Sequence, residues 1–216
     1  MALVYISAGS NLGNRLAFLQ QGIDTCSQHI GRVQSISAVV ETPAVGFDGN
    51  SFLNACFSVE TELSALEVMQ QLLNVETKHG RVRNESVGYQ NRTLDLDLLY
   101  YDDMVLNEAI LTLPHPSMEK RRFVLQPLAE IAPNKVHPIL EKTTESLLAA
   151  CNDGTALQTT TQPLLHPIYA RIKQHDFICV EGIIGSGKTT LAKILAEKLG
   201  YKTLEERFAE NPFLPK

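Results

Sequence analysis

The stretch Arg92-Thr93-Leu94-Asp95-Leu96-Asp97-Leu98-Leu99-Tyr100 alternates leucine with polar residues, the period-two pattern of a half-buried strand. Leu94, Leu96 and Leu98 share one face, and Asp95 and Asp97 share the other. Cα atoms two positions apart on a strand are about 6.5–7 Å apart. Carboxylates at that spacing repel unless a cation lies between them, and magnesium shared with substrate phosphates is the usual compensation. Taken alone, two solvated acids on an antiparallel sheet are the commoner explanation. The flanking residues change the balance: Arg92 precedes the strand, and Arg81 and Arg83 lie on the loop that feeds it. Guanidinium forks clasp phosphate oxygens, so acids for metal and arginines for phosphate point to a nucleotide-dependent transferase.

Upstream, Leu3–Ser7 predicts a strand and Gly9–Asn14 a turn. Leu12, Leu16, Leu19, Ile23, Cys26 and Ile30 then mark an amphipathic helix that Gly31 ends. A strand is expected from about Val33 to Glu41, broken by Thr42-Pro43. A further strand, Phe52–Thr61, has Leu53, Ala55, Phe57 and Val59 on one face and Phe52, Asn54, Cys56 and Ser58 on the other. Ser64 and Glu67 form a capping-box pattern opening a helix whose stripe Leu66, Met69, Leu72 and Leu73 also carries Glu76. The order strand-helix-strand-strand-helix-strand predicts an α+β, ferredoxin-like split βαβ sheet with helices on one face. Beyond it come the loop Pro114-His115-Pro116, a short helix from about Ser117, a proline-rich stretch from Pro127 to Pro138 and a closing helix over Glu141–Cys151.

The 216 residues carry 19 Lys+Arg against 24 Asp+Glu, a net charge of −5, which argues against a nucleic-acid polymer as partner. Arg81, Arg83, Arg92, Arg121 and Arg122 nevertheless fall within one stretch, which suits a small phosphorylated substrate. No apolar run approaches the ~20 residues of a membrane span, and no basic leader opens the chain, so a cytoplasmic protein without membrane partners is expected. Cys26, Cys56, Cys151 and Cys179 show no C-x-x-C pairing, and the histidines no metal-binding spacing. Phe52 beside Asn54 offers a stacking ring and a paired donor and acceptor, which suits a flat heterocycle with an amide-like edge.

Six motifs in order resemble the 6-hydroxymethyl-7,8-dihydropterin pyrophosphokinase family of folate biosynthesis. They are Gly9-Ser10-Asn11-Leu12-Gly13, Thr42-Pro43-Ala44-Val45-Gly46, Phe52-Leu53-Asn54-Ala55, Gly80–Arg83, Arg92–Asp97 and Pro114-His115-Pro116, followed by Arg121–Leu125 and Pro127-Leu128. The resemblance covers about residues 1–154. It implies transfer of diphosphate from ATP, the co-substrate, to the pterin hydroxymethyl group, with release of AMP. Asp95 and Asp97 would hold two Mg²⁺ ions, and these acids with Arg81 and Arg92 would form the catalytic set. Asn54, Thr42 and Val45 would bind the pterin edge, and Phe52 and Phe123 would sandwich its ring. Glu76, Arg81, Arg83, Arg92, His115 and Arg121 would line the ATP side. The sequence departs from the family at Gln90 and Asn91, where a small residue and a proline are frequent, and at Tyr89, where tryptophan is frequent. The oligomeric state is left open.

From 155 to 174 the chain turns polar and threonine-rich, as in a linker. Phe177–Val180 then predicts a strand, followed by Gly182-Ile183-Ile184-Gly185-Ser186-Gly187-Lys188-Thr189, a G-x-x-x-x-G-K-[ST] loop. Leu191, Ile194, Leu195 and Leu199 predict the helix behind it. Residues Gly182, Gly185, Gly187, Lys188 and Thr189 form a phosphate-binding set. With Glu181, Glu205-Glu206 and Glu210-Asn211-Pro212-Phe213-Leu214, residues 175–216 resemble the start of bacterial deoxynucleoside kinases. That predicts an incomplete P-loop α/β segment fused behind the pterin domain, unable by itself to phosphorylate nucleosides. Two other functions are weighed against the diphosphokinase: a nucleoside kinase using this P-loop, and a non-catalytic nucleotide-binding module.

Overall fold

Strand β1 (Ala2–Ser10) pairs antiparallel with β4 (Phe52–Thr61) on one side and with β5 (Asp95–Tyr101) on the other. The outer side of β4 is shared by β2 (Gly31–Ile36) and β3 (Val40–Thr42), again antiparallel. These strands belong to a mixed α/β arrangement in the computed structural model, which describes residues 1–44, 49–81, 91–168, 178–183 and 185–204. The chain divides into two units, Met1–Pro167 and Ile168–Lys216.

Alternation gives the sheet two packed faces. On one, Val4, Ile6, Ala8, Ala55, Phe57, Val59, Leu96 and Leu98 meet α1 (Arg15–His29) through Leu19, Ile23 and Cys26, and α2 (Ala65–Lys78) through Val68, Leu72 and Val75. The helical stripe predicted for α2 is therefore rotated: Leu66 is exposed, and Val68 and Val75 take the core positions. Ser64 and Glu67 form the reciprocal capping box expected from the sequence.

The opposite face corrects the expectation of helices on one side only. Cys56, Leu99 and Tyr100 pack there against α3 (Arg122–Ile131) and α4 (Thr144–Ala150). The Cys56 thiol donates to the Val124 carbonyl at 3.5 Å. Helix α3 runs through Pro127, where the sequence suggested a proline-rich coil. Val124, Leu125 and Leu128 are fully enclosed against the sheet, so tertiary burial overrides the missing N–H of Pro127. A register shift of β5 against β1 between Tyr5 and Ile6 enlarges this second face. Leu98 thus stays in the first core while Leu99 and Tyr100 both enter the second.

Two further differences have local causes. The strand expected over 33–41 splits into β2 and β3 because the Ser37 hydroxyl accepts the Cys56 N–H at 2.9 Å, taking a backbone acceptor's place. The Ala38 N–H leaves the sheet for the Glu130 carboxylate, at 3.0 and 3.1 Å. The first part of the predicted linker is built into the first unit. Gln158–Thr159 (β8) pairs with β3, Gln20 exchanges two hydrogen bonds with the Leu165 backbone, and His166 bonds the Val33 carbonyl at 2.9 Å. Beyond β5, a small hairpin of β6 (Leu106–Asn107) and β7 (Thr112–Leu113) leads to His115.

In the second unit, helix α5 (Lys188–Leu199) follows the glycine-rich loop and ends at Gly200. Gly187, its N-cap, has φ +81°, a left-handed conformation that suits glycine. The Lys188 ammonium donates to the carbonyls of Gly182 at 2.6 Å and Ile183 at 2.8 Å. Ile178–Val180 forms no strand among the described residues, and Phe177, Ile184, Glu205, Glu206 and the 210–214 stretch lie outside them. Among the described residues no helix is long and apolar enough to cross a membrane.

His137, which carried no role in the sequence, is 5% exposed, and its ring meets Tyr100 edge-on at 5.8 Å between centroids. Its Nδ1 accepts the N–H groups of Ile139 and Leu140 at 3.3 and 3.2 Å, so the ring is held neutral. Burial lowers its pKa, with Glu119 opposing. The unfolded chain therefore takes up this proton first as pH falls through the ordinary histidine range of about 6.5, and stability is lost below it. His137→Asn keeps the acceptor without the titration. In urea unfolding between roughly pH 7 and pH 5 the variant is expected to lose less stability than the wild type. Equal losses would reject this.

Candidate active site

Three neighbouring strands bring the predicted residues together at one end of the sheet's second face. Gly9 lies opposite Asn54 on one side and Asp95 on the other, and Ser7 lies opposite Asp97. A Cβ at Gly9 would stand 3.2 Å from the Asn54 Oδ1 and 3.7 Å from the Phe52 ring, so the absent side chain leaves the floor open. Above this floor is a cavity of about 930 Å³. Thr42, Pro43, Phe52 and Phe123 line it together with Arg81, Arg92, His115 and Arg121 and the end of α4.

Charge alternates across the cavity. Glu76, 1% exposed at the C-terminal end of α2, accepts both the Arg81 guanidinium and, at 2.8 Å, the Leu96 N–H. The glutamate on an apolar stripe therefore anchors the last turn of α2 to the acid strand. Arg81 also reaches Asp95, and Arg92 pairs with the other oxygen of the same carboxylate. Asp97 faces His115 at 4.0 Å and Arg121 at 3.8 Å. Burial and the neighbouring Asp95 raise the Asp97 pKa, against the pull of His115, Arg121 and Arg81. Burial lowers the His115 pKa although Asp97 favours its cation.

Thr42, Pro43, Phe52 and Asn54 bring no charge to the lining. The Asn54 amide donates to the Thr42 hydroxyl at 3.0 Å, and both residues are buried. Phe123 has the Arg121 guanidinium 5.9 Å above its ring. Of the predicted site residues in the first unit, Val45 and Arg83 lie outside the described residues, as do Tyr89 and Gln90. Asn11, a turn residue and part of the Gly9–Gly13 motif with no role assigned from sequence, ties the two sides of the cleft together. Its side chain donates to the Asn50 carbonyl at 3.1 Å and to Asn91 at 2.7 Å, and accepts the Arg92 N–H at 2.6 Å. A buried asparagine beside glycines was the available signal, but its partners are 39 and 80 residues away in sequence.

A family model for 7,8-dihydro-6-hydroxymethylpterin-pyrophosphokinase matches residues 5–133. The chain belongs to this family. It is 37% identical over 143 residues to the 2-amino-4-hydroxy-6-hydroxymethyldihydropteridine pyrophosphokinase of Aquifex aeolicus, covering 66% of this chain and 88% of that one. The Synechocystis enzyme of the same name is 42% identical over 144 residues, covering 66% of this chain and 73% of its own. In fold, the chain is similar to the Plasmodium falciparum HPPK-DHPS crystallised with pterin and p-hydroxybenzoate, with a TM-score of 0.55 at 13% identity. That match covers 69% of this chain and 41% of the Plasmodium chain. A deoxynucleoside kinase family model matches residues 178–216.

Within this site Glu76 is the group whose loss the fold should feel most directly. Glu76→Ala removes the acceptor for the buried Leu96 N–H and a partner of Arg81, and is expected to cost about 2–3 kcal/mol in denaturant unfolding. Glu76→Gln keeps the acceptor and should cost clearly less. Equal stability of the alanine variant and the wild type would show that the bond to β5 carries no weight.

Proposed function

We propose that the cavity transfers diphosphate from ATP to 6-hydroxymethyl-7,8-dihydropterin, giving AMP and the pterin diphosphate ester, a step of folate biosynthesis. The observation that carries this reading is the layout of the floor: an acid pair ringed by arginines on one side of Gly9 and a buried amide on the other. The first half recognises a polyphosphate, and the second a flat heterocycle.

Arg81 and Arg92 already converge on Asp95, so incoming phosphate oxygens exchange with that carboxylate for the same guanidinium forks. Arg121 and His115 meet the phosphates from the Asp97 side. Thr42 holds the Asn54 amide in one orientation, leaving its carbonyl oxygen for the pterin edge, and Phe52 and Phe123 enclose the ring. The pterin hydroxymethyl oxygen then attacks the β-phosphorus, the bond to the α-phosphate bridging oxygen breaks, and AMP leaves. No strong base is needed, and a histidine whose cation burial disfavours fits a neutral donor or acceptor at His115.

The donor set fits magnesium. Asp95 and Asp97 are hard oxygen donors on one face of β5, and the Asp97 carboxyl, raised first by burial and then by Asp95, would be relieved by a cation. Among the described residues no cluster of three or more protein ligands exists, so substrate phosphates would complete the coordination. When bound, Mg²⁺, two ions by the family resemblance, would neutralise charge developing on the transferred phosphates. The strand order β5-β1-β4-β2, antiparallel throughout, supports the ferredoxin-like split βαβ class for this unit. Cys26 and Cys56 are buried and unpaired, which fits a cytoplasmic setting.

A second reading concerns the unit from Ile168 onward. Its loop wrapped around the Lys188 ammonium, the left-handed Gly185 and Gly187, and the deoxynucleoside kinase match support a phosphate-binding P-loop of kinase ancestry. The wild-type chain is then expected to bind ATP at two sites and Lys188→Ala at one. A single site in the wild-type chain would count against the P-loop.

With Mg²⁺, ATP and the pterin, the chain is expected to release one AMP per pterin consumed; ADP as product would overturn the assignment. Asp97→Ala should lower turnover by about 10²–10³-fold or more with the fold intact, because like-charge repulsion is relieved. Asn54→Ala should weaken pterin binding more than ATP binding in titration calorimetry, and an equal effect on both would sink its assigned role.

A further inference from the structure

Helix α3 has to hold two of the proposed site residues at its first turn, yet it has no cap of its own. Its N-cap is Arg121, whose side chain makes no capping hydrogen bond and instead reaches toward Asp97. Val124 and Leu125 close the first turn onto the Arg121 carbonyl at 3.1 and 3.0 Å, which leaves the Arg122 N–H in need of an acceptor. That acceptor comes from 31 residues further along the chain: Asp153 Oδ2 takes the Arg122 N–H at 3.0 Å.

Asp153 is itself held in place. Its other oxygen accepts the Thr155 N–H at 3.0 Å and the Thr155 hydroxyl. Helix α4, packed beside α3 through Leu147 and Leu148, delivers the segment 151–153 to the cavity wall. Partial burial alone would raise the Asp153 carboxyl, but the bonds from Thr155 and Arg122 and the Arg122 charge hold it below the ordinary carboxylate range. A carboxylate in that state suits the positive end of a helix.

We propose that Asp153 is a positioning residue for the transfer reaction: by capping α3 from outside the helix, it fixes where Arg121 stands against Asp97 and where the Phe123 ring faces the cavity. This rests on the function proposed above. It makes a residue outside the 5–133 family match part of the working site. It also gives the α4 segment a task beyond covering the second core. Arg121 sits between the 3-10 turn Met118–Lys120 and α3, so a frayed first turn would release the guanidinium and the aromatic ring together.

The test uses the full chain with Asp153→Ala, Asp153→Ser and, as a control, Ser64→Ala, which removes the cap of α2 well away from the cavity in sequence and role. AMP release by the wild type is measured first, and its absence would overturn the function rather than the cap. Amide exchange at Arg122–Leu125 reads the cap whether or not the reaction runs: it should accelerate in Asp153→Ala and stay unchanged in Ser64→Ala. Well below the melting temperature, Asp153→Ala should lower kcat/KM for the pterin by about fivefold, the size of effect one lost cap supports. Asp153→Ser, which still accepts a hydrogen bond, should recover most of that loss. Faster exchange with unchanged kcat/KM would leave Asp153 a purely structural cap and overturn the proposal. So would a serine variant as impaired as alanine, or a Ser64→Ala variant that loses pterin kcat/KM equally.

Discussion

Strand β5 can hold Asp95 and Asp97 on one face only if positive charge is delivered to that face, since burial and mutual repulsion both work against the ionised pair. The fold supplies that charge from three separate places. Arg81 arrives from the end of α2, Arg92 from the mouth of β5 itself, and Arg121 from the start of α3. Each leans on a polar contact made elsewhere: Glu76 for Arg81, Asn11 for Arg92, and, in the proposal above, the Asp153 cap for Arg121. The acid pair is thus the common endpoint of contacts that reach into every layer of the first unit. The same arrangement suits a nucleotide. The arginines that compensate the acids can turn to phosphate, and the acids can then accept a metal, so charge stays balanced before and after the substrate enters.

Much of this was legible in the chain. Alternation from Phe52 to Thr61 and from Leu94 to Leu98 assigned both faces correctly, because a strand's period of two leaves no freedom once one face is apolar. Leu98 and Leu99 still alternate, and the period breaks only at Leu99-Tyr100, where two neighbours share a face, a step that depends on β1 beside it. The split between β2 and β3 was not visible, since a serine hydroxyl standing in for a backbone acceptor depends on Cys56 being opposite. Pro127 is a strong local signal against a helix, yet α3 runs through it. The burial of Val124, Leu125 and Leu128 that outweighs it is a long-range effect.

At the site, the residues proposed to meet substrate were easier to find than those that hold them in place. Asp95, Asp97, Asn54 and the arginines are chemically conspicuous. Asn11 and Asp153 are ordinary polar residues whose importance lies in partners tens of residues away. Glu76 fell between the two groups: a carboxylate on an apolar stripe was a visible anomaly, and its explanation needed the Leu96 N–H.

The segment after α4 shows why a polar, threonine-rich composition does not by itself mean a free linker. Gln158 and Thr159 are exposed, and what holds them is the backbone of β3, a ladder that any side chain can join. Gln20 binds the Leu165 backbone through both ends of its amide, a contact as strong for any residue at 165. Leu164 is the only apolar anchor in this run that packs on the first core among the described residues. Backbone pairing carries almost no compositional signature, so such a strap is invisible to periodicity. It nevertheless closes the edge of β3 at Val40 and Glu41, directly beside the threonine that bonds Asn54. An edge strand of three residues pairs weakly on its own. With β4 on one side and β8 on the other, β3 gains a partner on each, and the Thr42 side of the cavity is steadied by residues whose sequence suggested only slack.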